Sequence, residues 1–227
     1  MANHKKMNKY AIIVAGGSGT RMNAEIPKQF LEVNAKPIVM HTLEQFHFDD
    51  IQIILVLNVD YHDYWKELCL RHHFNIPHLL VKGGSTRYQS VKNGLSHIHE
   101  GALVAVHDAV RPCIKKSFIL TAYEQAKDYG SAVLAIPLRD SIRKKIGDYN
   151  LALHREDFVL IQTPQVFKSE ILKKAYQEPY RNEFTDDASV VEFMSNKIHL
   201  VEGDPFNIKV TYPNDLKIVE TLLKDNI

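Results

Sequence analysis

The stretch 10–31, YAIIVAGGSGTRMNAEIPKQFL, begins as a short run of apolar residues and passes directly into a glycine-rich loop. Arg21 lies at the far side of the glycines, and Lys28 follows Pro27 seven residues further on. A short buried strand that ends in a glycine turn opens a strand–helix unit, and the chain goes on to repeat that unit. After a first strand at 11–14, further strands are expected at 51–57, 79–81, 103–106 and 132–136. Helical spacing occupies 37–46, 61–72, 85–97 and 115–128. Continuous apolar strands alternating with helices predict an α/β fold, a mostly parallel mixed sheet with helices on both faces.

From Arg139 the pattern changes. RDSIRKKIGDYNLALHREDF alternates polar and apolar residues about a Gly-Asp turn, which reads as a β-hairpin. A projecting hairpin cannot bury a face alone, so it is expected to pack on a second subunit. Beyond it the pattern gives a strand near 159–162, helices near 169–176 and 187–195, a short strand at 198–201 and a last helix from Pro213. With no repeat, low-complexity segment or linker, residues 1–227 read as one domain with an arm at about 138–157.

Composition narrows the function. The 28 basic and 27 acidic residues leave a net charge of +1, which gives no support for broad nucleic-acid or membrane binding. An anion site must then be built locally. Cys69 and Cys113 are the two cysteines and show no metal-ligand spacing, which suits a reducing cytoplasm. The apolar run before the glycines is too short for a signal peptide, and no stretch approaches the roughly 20 apolar residues of a membrane helix. The expectation is a soluble, cytoplasmic protein.

The opening loop matches neither the P-loop nor the dinucleotide-binding pattern, so its chemistry has to be read from its residues. Gly16, Gly17 and Gly19, with Ser18 among them, let backbone N–H groups converge on a ligand. Arg21 adds a forked cation suited to phosphate, and Lys28 a point charge on a chain stiffened by Pro27. This set suits a polyphosphate whose charge rises during reaction; an ordinary turn with two solvated cations uses the same residues. In parallel sheets ligands bind at the carboxyl ends of strands, where the other polar blocks also fall. GGSTRYQSVKNGL (83–95) opens a helix whose N–H groups can bind an anion or a base edge, or can simply be capped. HDAVRP (107–112) sets Asp108 and Arg111 past an apolar strand, as a structural salt bridge or as a carboxylate for Mg²⁺ or a ribose. Lys209, in NIKVTYPNDL (207–216), taken alone reads as a surface residue.

Together the blocks AGGSGTRM…PKQF, GGSTRYQSVKNGL, VHDAVRPCI, AIPLRDSIRK, TPQVF, FTDDAS and NIKVTYPNDL resemble the 2-C-methyl-D-erythritol 4-phosphate cytidylyltransferase family, in that family's order and over almost the whole chain. The resemblance implies a GT-A-like, Rossmann-like nucleotidyltransferase of the non-mevalonate isoprenoid route. It would join CTP to methylerythritol phosphate with Mg²⁺, giving the CDP-alcohol and pyrophosphate, as a homodimer interlocked through the hairpin arms. By motif, Arg21 and Lys28 would stabilise the transition state at the α-phosphate. Ala15, Gly16 and Gly84 would read cytosine through backbone groups and Ser90 through its hydroxyl, with Gly17, Ser18, Gly19 and Arg87 also on the nucleotide. Asp108 and Arg111 match positions at the ribose and acceptor side. Ser141, Thr163, Thr185 and Lys209 match the acceptor-phosphate pocket, and Arg155 would reach that phosphate from the neighbouring subunit. Mg²⁺ would be held mainly by nucleotide phosphates, with Asp108 a candidate ligand.

Two positions depart from the family's pattern: Ser141 stands where threonine is usual, and His154 precedes Arg155 where an aspartate is common. The acceptor phosphate is itself an anionic nucleophile, which fits a sequence without a Ser–His–Asp or Cys–His arrangement. Ribitol-5-phosphate cytidylyltransferase shares the chemistry and is the nearest rival. A sugar-nucleotide pyrophosphorylase shares only the glycine-rich start, and a non-catalytic nucleotide sensor would have little use for Arg21, Lys28, Asp108 and Lys209 together.

Overall fold

A computed structural model of the chain describes residues 7–16 and 26–224. After β1 (Asn8–Val14) come a two-stranded ribbon, β2 (Glu32–Val33) with β3 (Lys36–Pro37), and helix α1 (Ile38–Gln45). There follow β4 (Ile51–Leu57), α2 (His62–Arg71), β5 (Leu79–Lys82), α3 (Arg87–Leu95), β6 (Ala102–Asp108), α4 (Lys116–Tyr129) and β7 (Ser131–Pro137). A hairpin, β8 (Arg143–Ile146) with β9 (Tyr149–Ala152), leads to β10 (Val159–Lys168), α5 (Ser169–Ala175), α6 (Asp187–Phe193), β11 (Leu200–Glu202) and α7 (Pro213–Lys224).

The strands that read as apolar runs are buried on both faces in the middle of the sheet, whereas β5, at its edge, leaves Leu79 exposed. The seven-stranded sheet has the order β11-β7-β10-β6-β1-β4-β5. Its pairs β1–β4, β1–β6, β4–β5 and β11–β7 are parallel, and β10 runs against both β6 and β7. Alternate side chains divide between two cores, as the two-residue period of a strand requires. Ala11, Ile13, Ile53, Leu55, Leu103 and Ala105 face α1, α2 and α4, whereas Ile12, Ile54, Val56, Val104 and Val106 face α3, α5 and α6.

The expected elements lie within two or three residues of those observed, with β10 the exception. The expected strand lies near 159–162; the observed one continues to Lys168, straight through Pro164. Its pairing with β7 shifts register between Ile161 and Gln165. Pro164 sits inside that shift, where a missing N–H forfeits no ladder bond. The hairpin is present at 143–152 and forms a sheet of its own about the Gly147–Asp148 turn. Tyr149 and Leu151 on it, and Phe158, Val159, Leu160 and Ile161 at its base, are exposed. Among the described residues no helix is long and apolar enough to cross a membrane.

Strand order fixes where a ligand can sit. From β1 the chain adds β4 and β5 on one side, then crosses back to lay β6 on the other. The crevice outside the carboxyl ends of β1 and β6 is therefore the topological switch point.

His107, next to the end of β6, is fully buried against the Phe46 ring at 4.9 Å, with Nδ1 3.1 Å from the Thr163 hydroxyl. Burial pushes its pKa down to about 3. The imidazole is thus neutral in the fold, whereas the unfolded chain takes up a proton below about pH 6.5. Its contribution is complete above that pH and is lost as pH falls toward the folded value. Between pH 6.5 and 5 unfolding free energy should drop by about 1.6 kcal/mol from this group, and denaturant titrations of His107→Gln should lack that part of the slope.

Candidate active site

A cleft of about 400 Å³ opens at the switch point, between residues that follow β1 and β6 and residues that open α3. One wall is built from backbone. Ser90, 1% exposed on α3, accepts a hydrogen bond from the Gly84 N–H at 3.1 Å and donates to the Thr86 carbonyl at 2.9 Å. A Cβ on Gly16 would lie 3.0 Å from this Ser90 Oγ, and one on Gly84 would lie 2.2 Å from Gln89 Cγ. Glycine at both places lets the β1 and β5 loops close against α3. Thr86 is the N-cap of α3, its hydroxyl accepting from the Gln89 N–H at 3.0 Å, and Arg87 is the helix's first residue. Behind Ala15, the buried Gln29 donates from Nε2 to the Ala15 carbonyl at 2.8 Å. Lys28, on the same short turn, donates from Nζ to the Val210 carbonyl at 2.8 Å.

The other wall is charged and centred on Asp108, the last residue of β6, which is 7% exposed. Its Oδ2 lies 2.9 Å from Lys209 Nζ and 3.5 Å from Arg111 Nε, and its Oδ1 lies 3.3 Å from Arg87 Nε. Burial alone would raise this carboxyl's pKa; Arg87, Lys209 and Arg111 override it and hold the group well below the usual carboxylate range. Arg87 also places Nη2 2.7 Å from Oδ2 of the fully buried Asp187, whose Oδ1 accepts from the Tyr176 hydroxyl at 2.6 Å. Burial works against the guanidinium's charge, but Asp187 and Asp108 outweigh it and raise the pKa. Counting Arg87, Arg111 and Lys209 against Asp108 and Asp187 leaves 3 − 2 = +1, and Lys28 lines the same cleft. Such a wall suits anions.

The structure brings Ala15, Gly16, Lys28, Arg87, Asp108 and Lys209 to the lining of this cleft, with Gly84, Ser90 and Arg111 joined to them by the contacts above. Thr163 is buried immediately behind, its hydroxyl accepting from the Asp108 N–H at 3.1 Å. Ser141, Thr185 and Arg155 are exposed and are not among the lining residues; Arg155 donates to the Arg139 carbonyl at 2.8 Å, within the arm. Gly17, Ser18, Gly19 and Arg21 lie outside the described residues. Sequence reasoning gave no role to Asp187, Tyr176 or Gln29. Asp187 stands in FTDDAS beside Asp186, which caps α6, a setting that announces no distant partner. Its pairing with Arg87, 100 residues away, has no local signature. Among the described residues no group of three or more His, Cys, Asp or Glu is placed to hold a metal, and Asp108 is the one acidic residue of the lining.

Comparison with known proteins agrees with this geometry. The family model described as 2-C-methyl-D-erythritol 4-phosphate cytidylyltransferase matches residues 10–225. Curated proteins of that name from Phocaeicola vulgatus and Bacteroides thetaiotaomicron are each 47% identical over 219 residues, covering 96% of this chain and 100% of the relative. The crystal structure of 4-diphosphocytidyl-2C-methyl-D-erythritol synthase from Anaerococcus prevotii superposes with a TM-score of 0.82 at 27% identity, covering 96% of both chains. Sequence, fold and cleft converge, and the chain belongs to the 2-C-methyl-D-erythritol 4-phosphate cytidylyltransferase family.

Proposed function

We propose that this chain joins CTP to 2-C-methyl-D-erythritol 4-phosphate, giving CDP-methylerythritol and pyrophosphate in non-mevalonate isoprenoid biosynthesis. The observation that carries the reading is the Asp108 cluster, one buried carboxylate tied to three cations at the rim of a glycine-walled cleft, in a chain of this family. An oxygen of the acceptor phosphate attacks the α-phosphorus of CTP. The new P–O bond forms as the bond to the bridging oxygen breaks, and pyrophosphate leaves with that electron pair. The nucleophile is already an anion, so no residue has to remove a proton. The barrier lies in bringing anions together, and fixed positive charge lowers it.

On this reading Ala15, Gly16 and Gly84 offer backbone groups to cytosine and Ser90 its hydroxyl. The loop residues Gly17, Ser18 and Gly19 and the guanidinium of Arg87 face the nucleotide, with Asp108 at the ribose. Arg21 and Lys28 steady the α-phosphate. Arg111, Ser141, Thr163, Thr185 and Lys209 serve the acceptor, Thr163 by fixing the end of β6. Mg²⁺ suits this donor set as an ion borne mainly by the triphosphate, with the Asp108 carboxylate the hard-oxygen ligand within the lining. When bound it would supply positive charge to the phosphates.

The arm belongs to the same proposal. Its exposed Tyr149 and Leu151 form an apolar face that a second copy would cover, and Arg155 would then reach the neighbouring site. In sedimentation equilibrium the protein should run at 2 × 26.0 = 52 kDa, and Leu151→Asp should run at 26.0 kDa. A wild-type monomer at micromolar concentration would remove the arm from the site.

The reaction itself is tested by pyrophosphate release from CTP, offered with each polyol phosphate in turn. Turnover is expected with methylerythritol phosphate and none above background with ribitol 5-phosphate; the reverse pattern would transfer the chain to the rival substrate. In the same assay Lys28→Ala and Arg21→Ala should each lower kcat by about 10²–10³, roughly 3–4 kcal/mol, with CTP KM little changed. Near-normal turnover in either variant would refute its place at the α-phosphate.

A further inference from the structure

Three cations of the cleft meet one stretch of chain, the segment 203–211 between β11 and α7. The Asn207 carbonyl accepts from Arg111 Nη1 at 2.8 Å, and the Val210 carbonyl accepts from Lys28 Nζ at 2.8 Å. Lys209, between them, supplies the ammonium 2.9 Å from Asp108. The placement of all three charges therefore depends on where this backbone runs.

Most of what fixes the backbone lies outside the cleft. Gln162, 5% exposed on β10, donates from Nε2 to the Asp204 carbonyl at 2.8 Å. Its Oε1 accepts from the Asp204 N–H at 3.2 Å and from Asn207 Nδ2 at 3.4 Å. One side-chain amide thus takes both backbone groups of Asp204, as a neighbouring strand would. Asn207 Nδ2 also donates to the Thr163 carbonyl at 2.8 Å, joining the segment to the residue that holds the Asp108 N–H. Gly203 permits the approach, since a Cβ there would lie 2.5 Å from Gln162 Oε1. At the far end the Val210 N–H donates to the Val110 carbonyl at 2.9 Å.

We infer that Gln162 and Gly203 are positioning residues for the proposed transfer: the Gln162 amide, docked on Asp204, sets the register of segment 203–211 and so places Arg111, Lys28 and Lys209 together. Neither residue lines the cleft. The inference rests on the reaction proposed above, in which these cations face the phosphates. Small displacements of such groups cost rate steeply, whereas a contact that merely stabilises the fold does not change the rate of molecules that remain folded.

Two variants disturb the joint from opposite sides. Gln162→Met keeps the side-chain volume and removes its hydrogen bonds; Gly203→Ala keeps the amide and pushes it away. Assayed well below their unfolding transitions, each should lower kcat by about 10- to 100-fold. Each should also raise KM for the acceptor while leaving KM for CTP unchanged, because Gly84 and Ser90 are held by α3 and not by this segment. The double variant should lose little more than the worse single one, since both break the same joint. A kcat within about threefold of wild type in either folded variant, or parallel rises in both KM values, would overturn the inference. If Gln162→Met does not fold, Gly203→Ala decides alone. An inactive wild type would defeat the proposed reaction and this inference with it; an active wild type with kinetically unchanged variants would defeat the inference alone.

Discussion

Asp108 holds a full negative charge with 7% of its surface exposed, and the cleft is organised around keeping that charge matched. Burying a carboxylate costs several kcal/mol, and ion pairs in such a place seldom repay that cost as stability. The arrangement is intelligible as a site feature. A carboxylate at the end of β6 draws Arg87 from α3, Arg111 from the loop after β6, and Lys209 from the chain before α7 onto one point. Without Asp108 these cations would repel one another. Asp187 supplies the second anion on the Arg87 side, where Tyr176 in turn satisfies its other oxygen.

The residues legible from sequence are those whose function is local. The run IQIILVL reads as a buried strand because both faces are covered, and β4 occupies 51–57 as expected. The glycines of GGSTR and the threonine that caps α3 announce a helix opening against a ligand wall. β10 runs past its sequence expectation because a proline ordinarily ends a strand, whereas here Pro164 is accommodated by a register shift in the pairing of β10 with β7. Gln162 and Asp187 are the clearest omissions. A glutamine in TPQVF's approach and an aspartate in a capping pair look ordinary, since the atoms they bind lie 42 and 100 residues away. Nothing in spacing or periodicity encodes a partner at that distance.

The two walls of the cleft divide the work in a way that follows from what each ligand part would require. A base edge is uncharged and would be matched by backbone groups and a hydroxyl in fixed positions, which on the proposed function Gly16, Gly84 and Ser90, packed on α3, would offer. Phosphates carry charge, and cations meant to face them must be near one another without being fully neutralised. Backbone carbonyls help orient Lys28 and Arg111, and the one carboxylate at the centre of this wall, Asp108, is shared among three cations. A carbonyl orients a cation and satisfies one donor but carries no full charge, so it subtracts little from the positive potential. A second carboxylate in those places would orient the groups as well and cancel the field they exist to provide. Charges oriented in advance need little rearrangement when the phosphate charge shifts, which is the main source of electrostatic rate enhancement. The backbone of segment 203–211 is thus as much a part of the charged wall as the side chains it holds, and a buried amide on β10 is a cheap means of fixing it.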